Sequence, residues 1–351
     1  MRLDVQQVVA AGLGLLTILA AGLAEGAGPV AQDAPPPQDG VTFSSVLDLN
    51  QESGALKAML RGGRLADSKT WPASFYVTYA AGSQTFACTA ALVGPQALLT
   101  AAHCVPDSGA IKIAFGGAIP YDAVCERHPG YASKADRSAD FALCHLTIPF
   151  LEPAEFQFET IDPQPVSGWL GRKILLSGYG CTSDSVAISQ AQIAKQAAAV
   201  SAAAGTRTPP PVPDYRIGFA TVAETSASPP KADRAEFYAP VEFFNIITAP
   251  DGANLCPGDS GGPAFVLSET SGASFQHRAL VAVNSRVLFT DPDMQDRYGA
   301  SLLAAAGAPG SPNDAARLSF RRWATAWAEG WKTVICGVPD VLGIPQHCRV
   351  T

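Results

Sequence analysis

Three strings in the chain hold residue types that together activate a hydroxyl: TAAHC at 100–104, SADFALCHL at 138–146 and CPGDSGGP at 256–263. A serine hydroxyl is a poor nucleophile at neutral pH until a base takes its proton during attack. Neutral histidine titrates in the range needed to take that proton and later return it to a leaving group. A carboxylate fixes the useful tautomer and stabilises the imidazolium that forms. His103 and Ser260 are the candidates for base and nucleophile. Asp136 and Asp140 are neighbouring candidates for the carboxylate. The glycines around Ser260 let backbone approach a substrate closely.

Such residues must be brought together from distant parts of the chain, and the texture of the sequence says by what. From Phe75 onward the apolar residues fall in short runs: FYVTYA, FACTAALVG, ALLTAAHC, IKIAFGG, ADFALCHL and KILLSGYG. Each is bounded by Gly, Pro, Asp or Ser, the pattern of an all-β barrel or sandwich. The 32 glycines and 28 prolines likewise favour many strands and turns over long helices. Residues 184–235 break the rhythm with an Ala-rich stretch and TPPPVPD, after which YRIGFATVAE again reads as a strand. Strand texture returns in FYAPVEFFNIIT and ALVAVNSRVLF. Near the end, Asn313 or Asp314 is placed to cap a helix with Leu318, Phe320, Trp323, Trp327 and Trp331 largely on one face. That face reads as one docked on a core.

The ends and the charge narrow the function further. Arg2 precedes an apolar stretch from Val8 to Ala24 that reads as a signal peptide, residues 1–24, with Gly22 and Ala24 suiting the cleavage site. No stable membrane insertion is expected once it is removed. Residues 25–59 open with a Pro-rich segment unable to build a core alone, and read as a propeptide or linker. A net charge of −7 and the lack of any basic run argue against nucleic-acid binding. Eight cysteines in an exported chain imply disulfides rather than free thiols. There is no C-x-x-C, so neither a metal nor another cofactor is expected.

The two strings TAAHC and CPGDSGGP, in that order, resemble those of the trypsin-like (chymotrypsin-fold) serine peptidases. SADFALCHL is similar to that family's strand carrying the catalytic Asp, and Asp140, directly before the apolar run, fits it better than Asp136. HPGY at 128–131, SGYG at 177–180 and Gly62–Gly63 followed by Pro72 extend the likeness over roughly residues 60–331. The resemblance implies an all-β fold of two six-stranded antiparallel β-barrels with a C-terminal helix. The first would span 60–165 and carry His103 and Asp140. The second would span 166–312, with Ser260 and an insertion at 184–235, and 313–351 would form the helix and tail. It implies an endopeptidase acting on protein or peptide substrates, secreted or periplasmic, made as a zymogen and opened by an activating protease. The N–H groups of Gly258 and Ser260 would form the oxyanion hole. Asp259 would pair with a new N-terminal amine, that of Leu60 after cleavage at Met59 or of Gly62 after cleavage at Arg61.

The likeness also sets expectations for disulfides and specificity. Cys88 pairs with Cys104 by resemblance. Cys125 and Cys144 pair because their segments should be neighbouring strands, Cys336 and Cys348 are the local choice, and Cys181 and Cys256 remain. The residue six before the nucleophile, at the base of the specificity pocket, is Asn254 rather than Asp. VNSR at 283–286 stands where Ser-Trp-Gly is usual, with Ser285 and Arg286 in place of Trp and Gly. Cleavage after Arg or Lys is therefore not expected to be the preferred reaction. Two other readings compete. A protease fold kept only for binding would be expected to lose a triad member, and all three are present. GDSGG also fits the G-x-S-x-G elbow of an α/β-hydrolase esterase with His277 or His347 as base. Pro263 and the all-β texture argue against that one.

Overall fold

The computed structural model describes residues 41–45, 60, 63–66, 70–81, 84–105, 109–115, 119–150, 156–165, 168–180, 213–226, 243–256, 258–267, 278–287, 300–310, 318–344, 346 and 348. The expected signal peptide, Cys181, His277, His347 and the capping candidates Asn313 and Asp314 lie outside them.

Six short strands make the first barrel: β3 (Ser74–Ala81), β4 (Gln84–Gly94), β5 (Ala97–Thr100), β6 (Gly109–Phe115), β7 (Ile119–Arg127) and β8 (Ala142–Leu146). They run round the ring in the order β3-β4-β5-β8-β7-β6. A further strand, β1 (Val41–Ser45), closes it, antiparallel to β3 and parallel to β6. It lies inside the stretch read as propeptide or linker, so this barrel has one strand more than expected and one parallel pairing. Val41, Thr42 and Phe43 are β-favouring types, which the Pro-rich segment before them concealed. Every residue of β5 is buried, as a continuous apolar run with a barrel interior on one side and chain on the other requires. In β7 and β8, Cys125 stands directly opposite Cys144, and the two form a disulfide.

The second barrel holds β9 (Lys173–Gly178), β10 (Arg216–Thr225), β11 (Asn245–Thr248), β12 (Pro263–Leu267), β13 (Arg278–Val287) and β14 (Ser301–Ala305). Their order is β11-β14-β13-β12-β9-β10, and the β10–β11 pairing closes the ring, with β2 (Arg64–Leu65) added beside β10. β10 falls within the 184–235 stretch read as an insertion. Paired on both sides, it is barrel wall, so its part of that stretch is fold rather than addition.

A strap between the barrels joins both. Glu159 N–H donates to Leu92 O, and Leu280 N–H to Thr160 O. The Glu159 carboxylate meets the Arg278 guanidinium bidentately, at 2.9 Å to Nε and 2.5 Å to Nη2, with both side chains buried. Arg278 lies 4.1 Å above the fully buried Trp71 ring, whose own ring is 5.2 Å from Phe265. A buried pair of this kind contributes little net stability, but removing one partner strands the other.

The C-terminal helix α2 (Phe320–Gly330) follows a one-turn helix α1 (Pro129–Ala132) in the chain. Ser319, not Asn313 or Asp314, caps α2, accepting from Arg322 N–H at 3.4 Å. Phe320, Trp323, Ala324 and Trp327 are buried, the i, i+3, i+4, i+7 stripe of a docked helix. Trp331 instead stacks flat on His145 at 4.4 Å and donates its indole N–H to Glu126. The tail returns to the first barrel through Cys336 N–H to Val93 O, and Cys336 is bridged to Cys348.

Candidate active site

β5 delivers the chain into a 3₁₀ turn, Ala102–Cys104, that presents His103. The Cys88–Cys104 disulfide pins this turn to β4, with its sulfurs 2.03 Å apart. Asp140, two residues before β8, grips the turn twice. Its Oδ1 accepts the His103 backbone N–H at 3.0 Å, and its Oδ2 lies 2.7 Å from the ring Nδ1. Nδ1–H donating to a carboxylate leaves Nε2 unprotonated, the arrangement a general base needs. The ring stays partly open, at 30% exposure, while Asp140 is 1% exposed. Asp136 is excluded from this work. Its Oδ1 accepts from Ser138 N–H and Oγ–H, and its Oδ2 accepts from Phe243 N–H.

Ser285 supplies a third bond to Asp140, its hydroxyl donating to Oδ2 at 2.6 Å. Burial alone would push the Asp140 carboxyl up. The His103 charge and hydrogen bond, the Ser285 hydroxyl and the His103 N–H together bring it below the ordinary carboxylate value. Ser285 was expected to stand where Trp forms a pocket wall. It does line the cleft beside Ser260, but its hydroxyl turns to Asp140. The register shift in β13 between Asn284 and Arg286 turns Ser285 out of strict alternation.

Ser260 sits half-buried in a tight turn just before β12. Asp259 N–H donates to Cys256 O, Gly262 N–H to Asp259 O and Gly261 N–H to Asn284 O. Gly258 and Gly261 both have positive φ, +102° and +80°. A Cβ at Gly258 would lie 2.8 Å from the Gly180 Cα, and one at Gly261 would lie 2.1 Å from Thr100 Oγ1. No other residue type fits either place. Beneath the turn, the fully buried Asp259 carboxylate accepts from Gly180 N–H at 2.8 Å and Cys256 N–H at 2.9 Å. Burial raises its pKa to about 7 despite both bonds. Cys256 is disulfide-bonded; its expected partner, Cys181, is outside the described residues.

A cleft of about 180 Å³ adjoins Ser260, lined also by Leu255, Cys256, Ser285, Arg286 and Val287. Asn254, the expected pocket floor, is not among its lining residues. It is fully buried and donates to Pro250 O and Gly252 O, while its Oδ1 has no partner. Its neighbour Leu255 faces the cleft instead. Leu255 and Val287 were missed by sequence reasoning, because no residue-type signal marks an apolar lining. Cys88, His103 and Cys104 bring metal-ligating atoms together, but both cysteines are consumed by their disulfide.

A hydroxyl in a glycine-braced turn and an imidazole held by a buried carboxylate, on two β-barrels, define the class of the chymotrypsin-fold proteins. The family model described as Trypsin matches residues 60–291, and the chain belongs to that family. A solved structure of neuropsin, a serine protease expressed in the limbic system of mouse brain, is similar. It has 17% sequence identity and a TM-score of 0.44, covering 70% of this chain and 94% of that one. No curated protein matches the chain. Fold and family together place the chain among the trypsin-like, chymotrypsin-fold proteins.

Proposed function

We propose that this chain is an exported serine endopeptidase in which Ser260 is the nucleophile, His103 the general base and acid, and Asp140 the orienting carboxylate. The observation that carries the reading is the double grip of Asp140 on His103, which fixes both the position and the tautomer of the ring. Ser285 supports it from the other side, since it bonds Asp140 and lines the same cleft as Ser260. Ser260 Oγ attacks the peptide carbonyl carbon while His103 Nε2 takes its proton. The carbonyl oxygen becomes an oxyanion facing the N–H groups of Gly258 and Ser260. Collapse expels the amine, which leaves with the proton from His103, and water hydrolyses the acyl-enzyme by the same steps. One oxyanion donor is worth about 3–4 kcal/mol of barrier.

Among the described residues, the cleft beside Ser260 is lined by Leu255, Val287 and Arg286 and by no carboxylate. A Lys or Arg side chain entering it would meet the Arg286 guanidinium and, among these described lining residues, no carboxylate, so cleavage after Lys or Arg is disfavoured. Three disulfides among the described residues support an oxidising destination, secreted or periplasmic. No helix among the described residues is long and apolar enough to cross a membrane.

A fluorophosphonate probe tests the chemistry. The matured protein is expected to be labelled at Ser260, with labelling abolished in Ser260→Ala and His103→Ala. A folded, matured protein that takes no label would make the chain a binding protein. On matched peptides differing only at P1, Arg is expected to give a lower kcat/KM than Ala. An Arg peptide that is the better substrate would overturn the reading of the cleft.

A further inference from the structure

We propose that Thr89, from the first barrel, is a positioning residue that sets the oxyanion-binding turn of the second. This inference rests on the serine endopeptidase reading above. Thr89 is fully buried in β4, next to the disulfide-bonded Cys88, and it reaches the nucleophile turn across 169 residues of sequence.

Its contacts bracket Asp259. The Thr89 N–H donates to Ser260 O at 2.7 Å, and its hydroxyl donates to Gly258 O at 2.9 Å. The same hydroxyl oxygen accepts the Tyr179 N–H at 3.1 Å. The Thr89 carbonyl is held in turn by the Thr100 hydroxyl at 2.8 Å, so the clamp is itself fixed to β5. One residue thus holds the carbonyls on both sides of Asp259, and with them the two residues whose N–H groups face the oxyanion.

The hydroxyl has a role the backbone N–H cannot replace. The peptide plane between Gly258 and Asp259 is pinned at one edge by Asp259 N–H to Cys256 O, at 3.0 Å. Thr89 Oγ pins the other edge. Gly258 has the loosest backbone of any residue type and already stands at φ +102°. With its carbonyl released, this plane can turn about its remaining Asp259 N–H bond, and the ψ angle that ties it to the preceding peptide unit, which carries the Gly258 N–H, is no longer fixed. An apolar isostere would leave a buried carbonyl and the buried Tyr179 N–H without their common partner. Rotation of the turn is the relief open to them. The oxyanion donors act only within a narrow distance of the developing charge, so a small rotation removes much of their effect.

The test compares Thr89→Val, which keeps the shape and loses the hydroxyl, with Thr89→Ser, which keeps the hydroxyl. Thr89→Val is expected to lower kcat about tenfold to a hundredfold with KM within about twofold, less than outright loss of a donor. Affinity for a peptidyl trifluoromethyl ketone, whose adduct places an oxyanion in the hole, should fall in proportion. Thr89→Ser should stay within about threefold of wild type on both measures. Equal kcat for Val and wild type, or equal losses for Val and Ser, would overturn the proposal. So would a kcat loss without loss of ketone affinity. Amide hydrogen exchange at Gly258 and Asp259 reads the clamp independently of turnover. Exchange faster in Thr89→Val than in Thr89→Ser supports it and equal exchange overturns it, even where the protein takes no fluorophosphonate and the endopeptidase reading has failed. Should Thr89→Val not fold, Thr89→Ala serves as the hydroxyl-free variant.

Discussion

Ser285 shows how much a single hydroxyl is asked to do in a buried place. Asp140 is desolvated, and it stays ionised only because donors surround it: the His103 ring and N–H and the Ser285 hydroxyl. A hydrogen bond to a charged group contributes about 1.5–3 kcal/mol. Ser285→Ala is therefore expected to lower kcat/KM roughly tenfold to a hundredfold. Because the folded-state pKa of Asp140 is depressed, its stabilisation is complete above the ordinary carboxylate value and is lost as pH falls through the folded value. Removing the Ser285 donor raises that folded value, so the acid-unfolding midpoint should move to higher pH, read by circular dichroism. At this scale the sequence was legible wherever residue type alone decides the role. His103, Asp140 and Ser260 were singled out by the strings they stand in, and the structure joins the first two by hydrogen bonds. Ser285 was legible as a pocket residue but not as a donor to Asp140, and Val287 and Thr89 were not legible at all. Their roles depend on a strand bulge and on contacts across the barrels, and nothing in their own neighbourhoods announces either.

Among the elements, α2 and the α1 corner are joined through His128. His128 caps α1, its Nδ1 accepting the Gly130 N–H at 3.1 Å, so the proton sits on Nε2 and is donated to Leu318 O at 2.9 Å, just before α2. Trp323, Phe244 and Phe141 surround the ring at 5.1, 5.4 and 6.1 Å. Burial lowers its pKa from 6.5 to about 4, against a small opposing effect of the Leu318 carbonyl. A group depressed in this way binds fewer protons folded than unfolded. Its stability is full above pH 6.5 and is lost as pH falls toward 4. At about 1.4 kcal/mol per pH unit the gap amounts to about 3 kcal/mol. His128→Asn keeps the cap acceptor and does not titrate, so it should remove this loss. The check is the denaturant midpoint measured between pH 4 and 6.5. Trp323→Ala should cost about 3–5 kcal/mol at any pH, by the cavity it leaves. The helix face was legible because a 3.6-residue period survives any context, and Phe320, Trp323 and Trp327 fall as read. Its start was not, because Ser319 competes with Asn313 and Asp314 and only the docked geometry chooses. β10 was legible as a strand but not as barrel wall, since pairing partners are a property of the fold.

At the scale of the whole molecule, two buried titrating groups oppose one another. Asp259 in the intact chain carries no positive partner among its hydrogen bonds, and burial raises its carboxyl from 3.8 to about 7. The sign is the reverse of that for His128. The folded state holds the extra proton, so Asp259 contributes stability that is full below about 3.8 and is lost as pH rises through 7. The magnitude is about 4 kcal/mol, against about 3 kcal/mol gained from His128 over nearly the same range. In the intact chain, carrying Ser260→Ala to prevent self-cleavage, the two contributions should thus partly offset one another between pH 4 and 6.5, with His145, also lowered by burial, acting on the side of His128. Asp259→Asn should make stability rise with pH across that window, and His128→Asn should make it fall. We propose that maturation acts through the same carboxylate. Leu60 is fully buried, and its carbonyl accepts the Gly63 N–H beside β2. Cleavage that frees an amine at Leu60 or Gly62 would bring Asp259 a cation, drawing its pKa back down and removing its opposing contribution. Active protein should therefore begin at Leu60 or Gly62 by N-terminal sequencing, and its stability should rise with pH as that of intact Asp259→Asn does. An active chain that still begins near residue 25, with the pH profile of the intact form, would show that Asp259 works here without an amine.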